Sequence, residues 1–228
     1  MPTIVFVSPK GGVGKTTSAL ILAEQLARSA DVTIVDADPN SPIAAWSQGG
    51  KKPARMHIIS DADEENIIDK IEEAAAKTPF VIVDLEGTAA KIVLLAVSQA
   101  DLVVIPMQGS QLDAAQASRA LRVVKQQEKM SRRKVNYGVL LTRTSPLLRT
   151  RTTKYIDKTF AEAGINMFSA ELNEREAFRA MFSFASPLSE LDVVEVSNLE
   201  KAIANAEAFA AEVVTKLREG AQPMAEVA

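Results

Sequence analysis

Short, continuously apolar runs alternate along the chain with longer stretches in which apolar side chains recur every three or four positions. Thr3–Val7, Val32–Asp36, Met56–Ile59, Phe80–Asp84, Leu102–Pro106 and Val135–Thr142 read as strands. Several lack the in–out alternation of a half-exposed sheet, as expected for strands covered by helices on both faces. Between them the helical period predicts helices at about 15–29, 63–77, 88–98, 111–130, 150–163, 174–183 and 197–218. This β–α alternation implies an α/β fold of three layers, a mostly parallel central sheet flanked by helices. No repeat, low-complexity tract or interdomain linker interrupts it. Residues 1–220 are expected to form one domain, 221–228 a frayed tail, and Gly49–Pro53 a polar surface loop.

Composition narrows the chemistry. The 228 residues are 47% apolar, enough to bury a full core and incompatible with a disordered chain. There is no cysteine, which excludes disulfides, thiolate metal sites and iron–sulfur ligation, and fits a reducing compartment. No apolar run reaches the ~18–20 residues that span a bilayer, and Gln99 and Asp101 break the stretch that comes nearest. The first residues pass directly into a strand without the pattern of a secretory leader, so a soluble cytoplasmic protein is expected.

Chemistry concentrates after the first strand. Ser8-Pro9-Lys10-Gly11-Gly12-Val13-Gly14-Lys15-Thr16-Thr17 is a compressed, glycine-rich phosphate loop between a strand and an Ala/Leu-rich helix. Gly11, Gly12 and Gly14 let the backbone N–H groups around Val13 and Thr17 turn toward phosphate oxygens at the helix N-terminus. Lys15 is placed for the β/γ-phosphates and the Thr16 hydroxyl for Mg²⁺, so ATP with Mg²⁺ is the expected ligand. Asp36 and Asp38 follow the second strand and Asp84 ends the fourth, where ligands sit in open parallel sheets. Carboxylates there can complete a Mg²⁺ shell or position an attacking water. Asp36 and Asp84 are the metal candidates, Asp84 as the Walker-B residue. His57 stands alone and Trp46 is assigned to packing.

These motifs carry a resemblance. Lys10-Gly-Gly-Val-Gly-Lys15-Thr-Thr, Asp36-Ala-Asp38-Pro39-Asn40, Ile105-Pro-Met-Gln-Gly-Ser110-Gln-Leu-Asp113 and Leu172-Asn-Glu-Arg175-Glu-Ala-Phe178 together resemble the deviant Walker A ATPases of the ParA/MinD family, most of all the short ParA partition proteins. The resemblance implies a dimer sandwiched across ATP. Lys10 would reach the partner's phosphates, Asp38 would orient the hydrolytic water, and Arg143 would lie beside the adenine. It also implies non-specific DNA binding by the dimer and a ParB-like partner that stimulates hydrolysis, hence a nucleoid-associated protein. One departure is Asp84-Leu85-Glu86-Gly87, where the family carries a proline-containing turn. Glu86 adds a carboxylate near the metal position.

The net charge of −3 hides an asymmetry: twelve Lys/Arg against two acids lie between Arg119 and Lys158. Arg119, Arg122 and Lys125 share one helical face, and Arg149, Arg151 and Lys154 open the next helix. Such a surface neutralises phosphates with little sequence preference. Arg175 and Arg179 join these DNA candidates through the resemblance, or else pair with Glu171, Glu174 or Glu176. Two functions stay open: DNA partition, and positioning of a DNA-transfer or other protein complex by the same cycle. A membrane-surface role like that of MinD is disfavoured, since 199–228 carries three basic and five acidic residues.

Overall fold

A computed structural model describes residues 1–86, 90–148 and 150–221. The described chain runs β1 (Thr3–Phe6), α1 (Lys15–Ala27), β2 (Val32–Ala37), α2 (Pro42–Ser47), β3 (Met56–Ile59), α3 (Ile67–Lys77), β4 (Phe80–Leu85), α4 (Ala90–Ser98), β5 (Leu102–Met107), α5 (Gln111–Ser131), β6 (Asn136–Thr144), α6 (Arg151–Glu162), β7 (Leu172–Asn173), α7 (Glu176–Ser183) and α8 (Leu199–Ala221), with a 3₁₀ turn at Leu188–Glu190. The strands form one sheet in the order β3-β2-β4-β1-β5-β6-β7. Every pairing between these strands is parallel, so the expected mostly parallel three-layer fold is realised in full.

The strands divide their side chains between two cores. Ile4 and Phe6 of β1, Ile34 of β2, Ile82 of β4 and Leu102 and Val104 of β5 face α1, α7 and α8. Val5, Val35, Val81, Val83, Val103 and Ile105 face α3, α4, α5 and α6. Both faces are therefore apolar, which is why these strands read as unbroken hydrophobic runs. Helix α1 lies deepest: Ala19 to Ala23 are all fully buried. Glu24 on this helix is 2% exposed and accepts the N–H groups of Leu188 (2.8 Å) and Ser189 (2.9 Å), pinning the 3₁₀ turn to α1.

Several boundaries differ from expectation for local reasons. The helix expected from residue 63 begins at Ile67, because the Asp63 side chain accepts the N–H groups of Glu65 and Asn66 and holds a turn. Helix α2 is a single short segment whose apolar residues Ile43 and Trp46 are too few to show a period. Strand β7 has two residues and exists through its pairing with β6. Gly49 is exposed in the expected surface loop, yet backs onto Ala185 so closely that a Cβ there would lie 2.4 Å from the Ala185 Cβ. Of the expected tail 221–228, residues 222–228 lie outside the described residues, as do positions 88 and 89 of the third expected helix.

Candidate nucleotide site

The parallel sheet places the carboxyl ends of all strands along one edge, and the central strand β1 delivers the glycine loop to its middle. Gly12 (φ 72°) and Gly14 (φ 92°) adopt left-handed backbone that a side chain would strain. Gly14 is the N-cap of α1 and no side chain caps it, so the first amides of α1 remain available to an anion. The loop is tied down from behind. Thr142 donates its hydroxyl to the Val13 carbonyl (2.7 Å), and Gln108 donates to the Gly12 carbonyl (3.2 Å). Lys15 opens α1 with its side chain buried, while Thr16 and Thr17 are half-buried beside it.

Asp36 and Asp84 sit side by side, in register on adjacent strands β2 and β4. Both are fully buried. Neither oxygen of Asp84 has a hydrogen-bond partner, and Asp36 leaves Oδ1 unpartnered. Burial pushes the Asp84 carboxyl up to about 7, reinforced by the Asp36 and Asp38 charges and opposed by the nearby Thr16 hydroxyl and Lys15 ammonium, neither of which completes a hydrogen bond to it. Asp36 is raised by burial too, although the amides of Ala44 and Ile43, both at 2.9 Å, hold its Oδ2 and favour the charge. Those two bonds make Asp36 the cap of α2, a role the sequence did not suggest.

Orphaned buried carboxylate oxygens next to a lysine and a threonine hydroxyl fit a divalent cation shared with phosphate. No cluster of three acidic or His side chains able to cage a metal occurs among the described residues. Asp36, Asp84 and the Thr16 hydroxyl suit Mg²⁺, which is commonly held by one or two carboxylates plus phosphate oxygens.

The remaining candidates divide between two surroundings. Asp38 is half-buried after β2, its Oδ1 accepting from the Asn40 backbone (2.9 Å) and side chain (3.0 Å). Lys10 does not lie free at the loop's start. Its Nζ is 2.6 Å from Asp113 Oδ1 on α5, with the lysine side chain 41% exposed and the aspartate 2%. The Ser110 hydroxyl donates to the other oxygen of Asp113 at 2.5 Å. Asp113 thus holds Lys10 within its own chain, a partnership that the spacing of the two residues in sequence does not reveal.

A cavity of about 390 Å³ opens beside the loop, lined by Gly14, Thr17, Ser18, Arg143, Asn173 and Arg175 among others. Arg143 reaches it from an irregularity at the end of β6, where its φ is 51°. Arg175, grouped above with the DNA candidates, lines this cavity instead. It donates to Asn173 (3.1 Å), and its Nε is buried without a partner. Arg179 bonds Glu176 (2.7 Å) and Glu174 (2.9 Å), the alternative pairing noted above, which neutralises its charge. Arg119, Arg122 and Lys125 are exposed on α5, and Arg151 and Lys154 on α6. None of these five forms an ion pair with another described residue. Arg149 lies outside the described residues, as does Gly87 after Glu86.

A glycine loop between the central strand and a buried helix, flanked by buried carboxylates on neighbouring strands, defines the P-loop nucleotide-binding class. The chain belongs to the VirC1 protein family, whose profile matches residues 1–219, and with it to the ParA/MinD-type ATPases. It is 37% identical to "Protein ParA" of Rhizobium radiobacter over 220 residues, covering 96% of this chain and 99% of that one. It is 24% identical to "Maintenance of carboxysome distribution protein A" of Halothiobacillus neapolitanus over 179 residues, 78% of this chain and 82% of the other. The fold is shared with the septum site-determining protein MinD of Pyrococcus horikoshii, solved with Mg-ADP. The TM-score is 0.71 at 16% identity, with 97% of this chain and 99% of that one covered. The expected family and fold are both met. No helix among the described residues is long and apolar enough to cross a membrane.

Proposed function

We propose that this chain is a ParA-like ATP-driven switch that pairs across bound nucleotide, holds DNA non-specifically when paired, and releases it after hydrolysis stimulated by a partner protein. The observation that carries the nucleotide step is the pair of buried carboxylates with orphaned oxygens beside an uncapped helix N-terminus. Thr16, Asp36 and Asp84 would hold Mg²⁺, which when bound neutralises charge between the β- and γ-phosphates. The backbone from Gly11 to Thr17 cradles the phosphates, and Lys15 adds a fixed positive charge. Arg143, with Arg175 and Asn173, lines the adjoining cavity where the nucleoside would lie. Asp38, turned toward Asn40 in the free chain, would rotate to orient the attacking water.

Lys10 supplies the dependence on assembly. A lysine held by Asp113 of its own chain contributes nothing to another subunit, and transfer to the partner's phosphates exchanges one anionic contact for another. Hydrolysis then waits for pairing. The exposed row Arg119, Arg122, Lys125, Arg151 and Lys154 offers uncompensated charge for phosphate contacts, the electrostatic footprint of a sequence-indifferent DNA surface.

The cargo would be a plasmid or chromosome region carried through a ParB-like protein, or a DNA-transfer complex. A relative named for carboxysome distribution favours a broader positioning role as the second reading. DNA retention with ATP, with ADP and without nucleotide, at several salt concentrations, tests the switch. Steeply salt-dependent binding confined to ATP is expected, and equal binding in the three states contradicts it.

A further inference from the structure

Three leucines stand out on the edge that carries the phosphate loop. Leu112 in the first turn of α5 is 78% exposed, and Leu147 and Leu148 between β6 and α6 are 88% and 73% exposed. In a parallel sheet the start of α5 and the β6–α6 loop share the edge with Gly11–Thr17, Asp38 and Lys10. Leu112 also adjoins Asp113, the residue that holds Lys10.

The edge is electrically bipolar. On the β3 side, Asp61, Asp63, Glu64 and Glu65 are all exposed in one loop, where Asp61 meets Lys70 and Glu64 meets Lys91. On the β6 side stands Arg143, exposed. The phosphate loop lies between them, at the centre of the strand order. A polyanion or an anionic lipid surface covering this edge would be repelled by the acidic loop. A second copy of the chain has no such conflict. A two-fold rotation that exchanges the ends of the edge sets each basic rim against the partner's acidic loop, as a self-complementary interface requires.

We infer that Leu112, Leu147 and Leu148 form the apolar part of the contact between two copies of this chain across the nucleotide edge. The inference rests on the pairing proposed above and specifies what stabilises it. Phosphates, lysines and carboxylates supply orientation, and burial of the leucines supplies the non-directional attraction that interface cores need.

The test replaces all three with serine and compares the full chain with the wild type by sedimentation velocity, using a non-hydrolysable ATP analogue with Mg²⁺. Substitution at exposed positions should leave the monomer's thermal melt and its affinity for a fluorescent ATP analogue unchanged. The dimer dissociation constant should rise about tenfold or more. Wild-type strength dimerisation in the variant overturns the assignment of the leucines. So does a normal dimer that has lost binding to duplex DNA or to vesicles containing anionic lipid, since that identifies a different occupant. A wild-type chain that stays monomeric with the analogue overturns the pairing itself, an outcome the first comparison keeps separate.

Discussion

Two buried carboxylates lie along helix α1, Glu24 on the helix itself and Asp84 on β4 beside its first turn, and they have opposite surroundings. Within the helix, Glu24 spends its oxygens on the amides of Leu188 and Ser189. Near the helix N-terminus, Asp84 has no hydrogen-bond partner on either oxygen. Burial raises both carboxyls, and Asp84 reaches about 7. A buried polar group that is satisfied holds the fold together, whereas one left unsatisfied costs stability until a ligand completes it. The difference separates a structural acid from a candidate metal ligand without reference to sequence motifs.

The strongest test acts at the ligand end. Lys15→Gln should weaken Mg-ATP binding at least about a hundredfold, equivalent to about 2.7 kcal/mol, with little change in the urea midpoint. Calorimetric titration that finds near-wild-type affinity would show that the buried lysine does not serve the phosphates.

Glu24→Ala should do the reverse. Leaving two buried amides unpaired costs about 2 kcal/mol or more of stability while nucleotide affinity is maintained. Urea unfolding that shows no loss would remove Glu24 from the structural class.

Asp84→Asn sharpens the contrast further. Between pH of about 4 and 7 the native Asp84 holds a proton that the unfolded chain, with its ordinary carboxyl near 3.8, has released. The nucleotide-free protein therefore loses stability as pH rises through that window. The asparagine variant should lose this slope, gain about 1 kcal/mol at pH 8, and no longer be stabilised by Mg²⁺ added with ATP. Thermal melts across pH, with and without Mg-ATP, decide it. An unchanged slope would assign the titration elsewhere.

The smallest effect is expected at Asp113. Asp113→Asn releases Lys10 from a partly exposed ion pair, so nucleotide-dependent pairing should strengthen by a few-fold at most, in keeping with less than about 1 kcal/mol for such pairs. Weaker pairing would mean that Asp113 positions Lys10 for its partner rather than withholding it.

Much of this frame was legible along the chain. Runs such as Val32–Val35 and Val81–Val83 read as strands covered on both faces, and the glycines from Gly11 to Gly14, a short step after Thr3–Val7, read as a tight turn into a helix. The candidate site was half legible. Lys15 and Thr16 stand at the start of a helix, and Asp36 and Asp84 at strand ends. That Asp36 caps α2 and that Arg175 joins the cavity could not be read, whereas the pairing of Arg179 with Glu174 and Glu176 was one of two alternatives that the sequence left open. Each depends on where a side chain points once a strand ends, and the hydrophobic period carries no information there.

By itself, then, the sequence determined the α/β class, the position of the phosphate loop and the family to which the chain belongs, because these follow from local propensity and a contiguous motif. Only the tertiary structure decided which charges are paired. Lys10 meets Asp113 across 103 positions of sequence, and Glu24 meets Leu188 across 164. Such contacts form when the sheet closes and brings distant segments to one point, so their free energy belongs to the assembled fold.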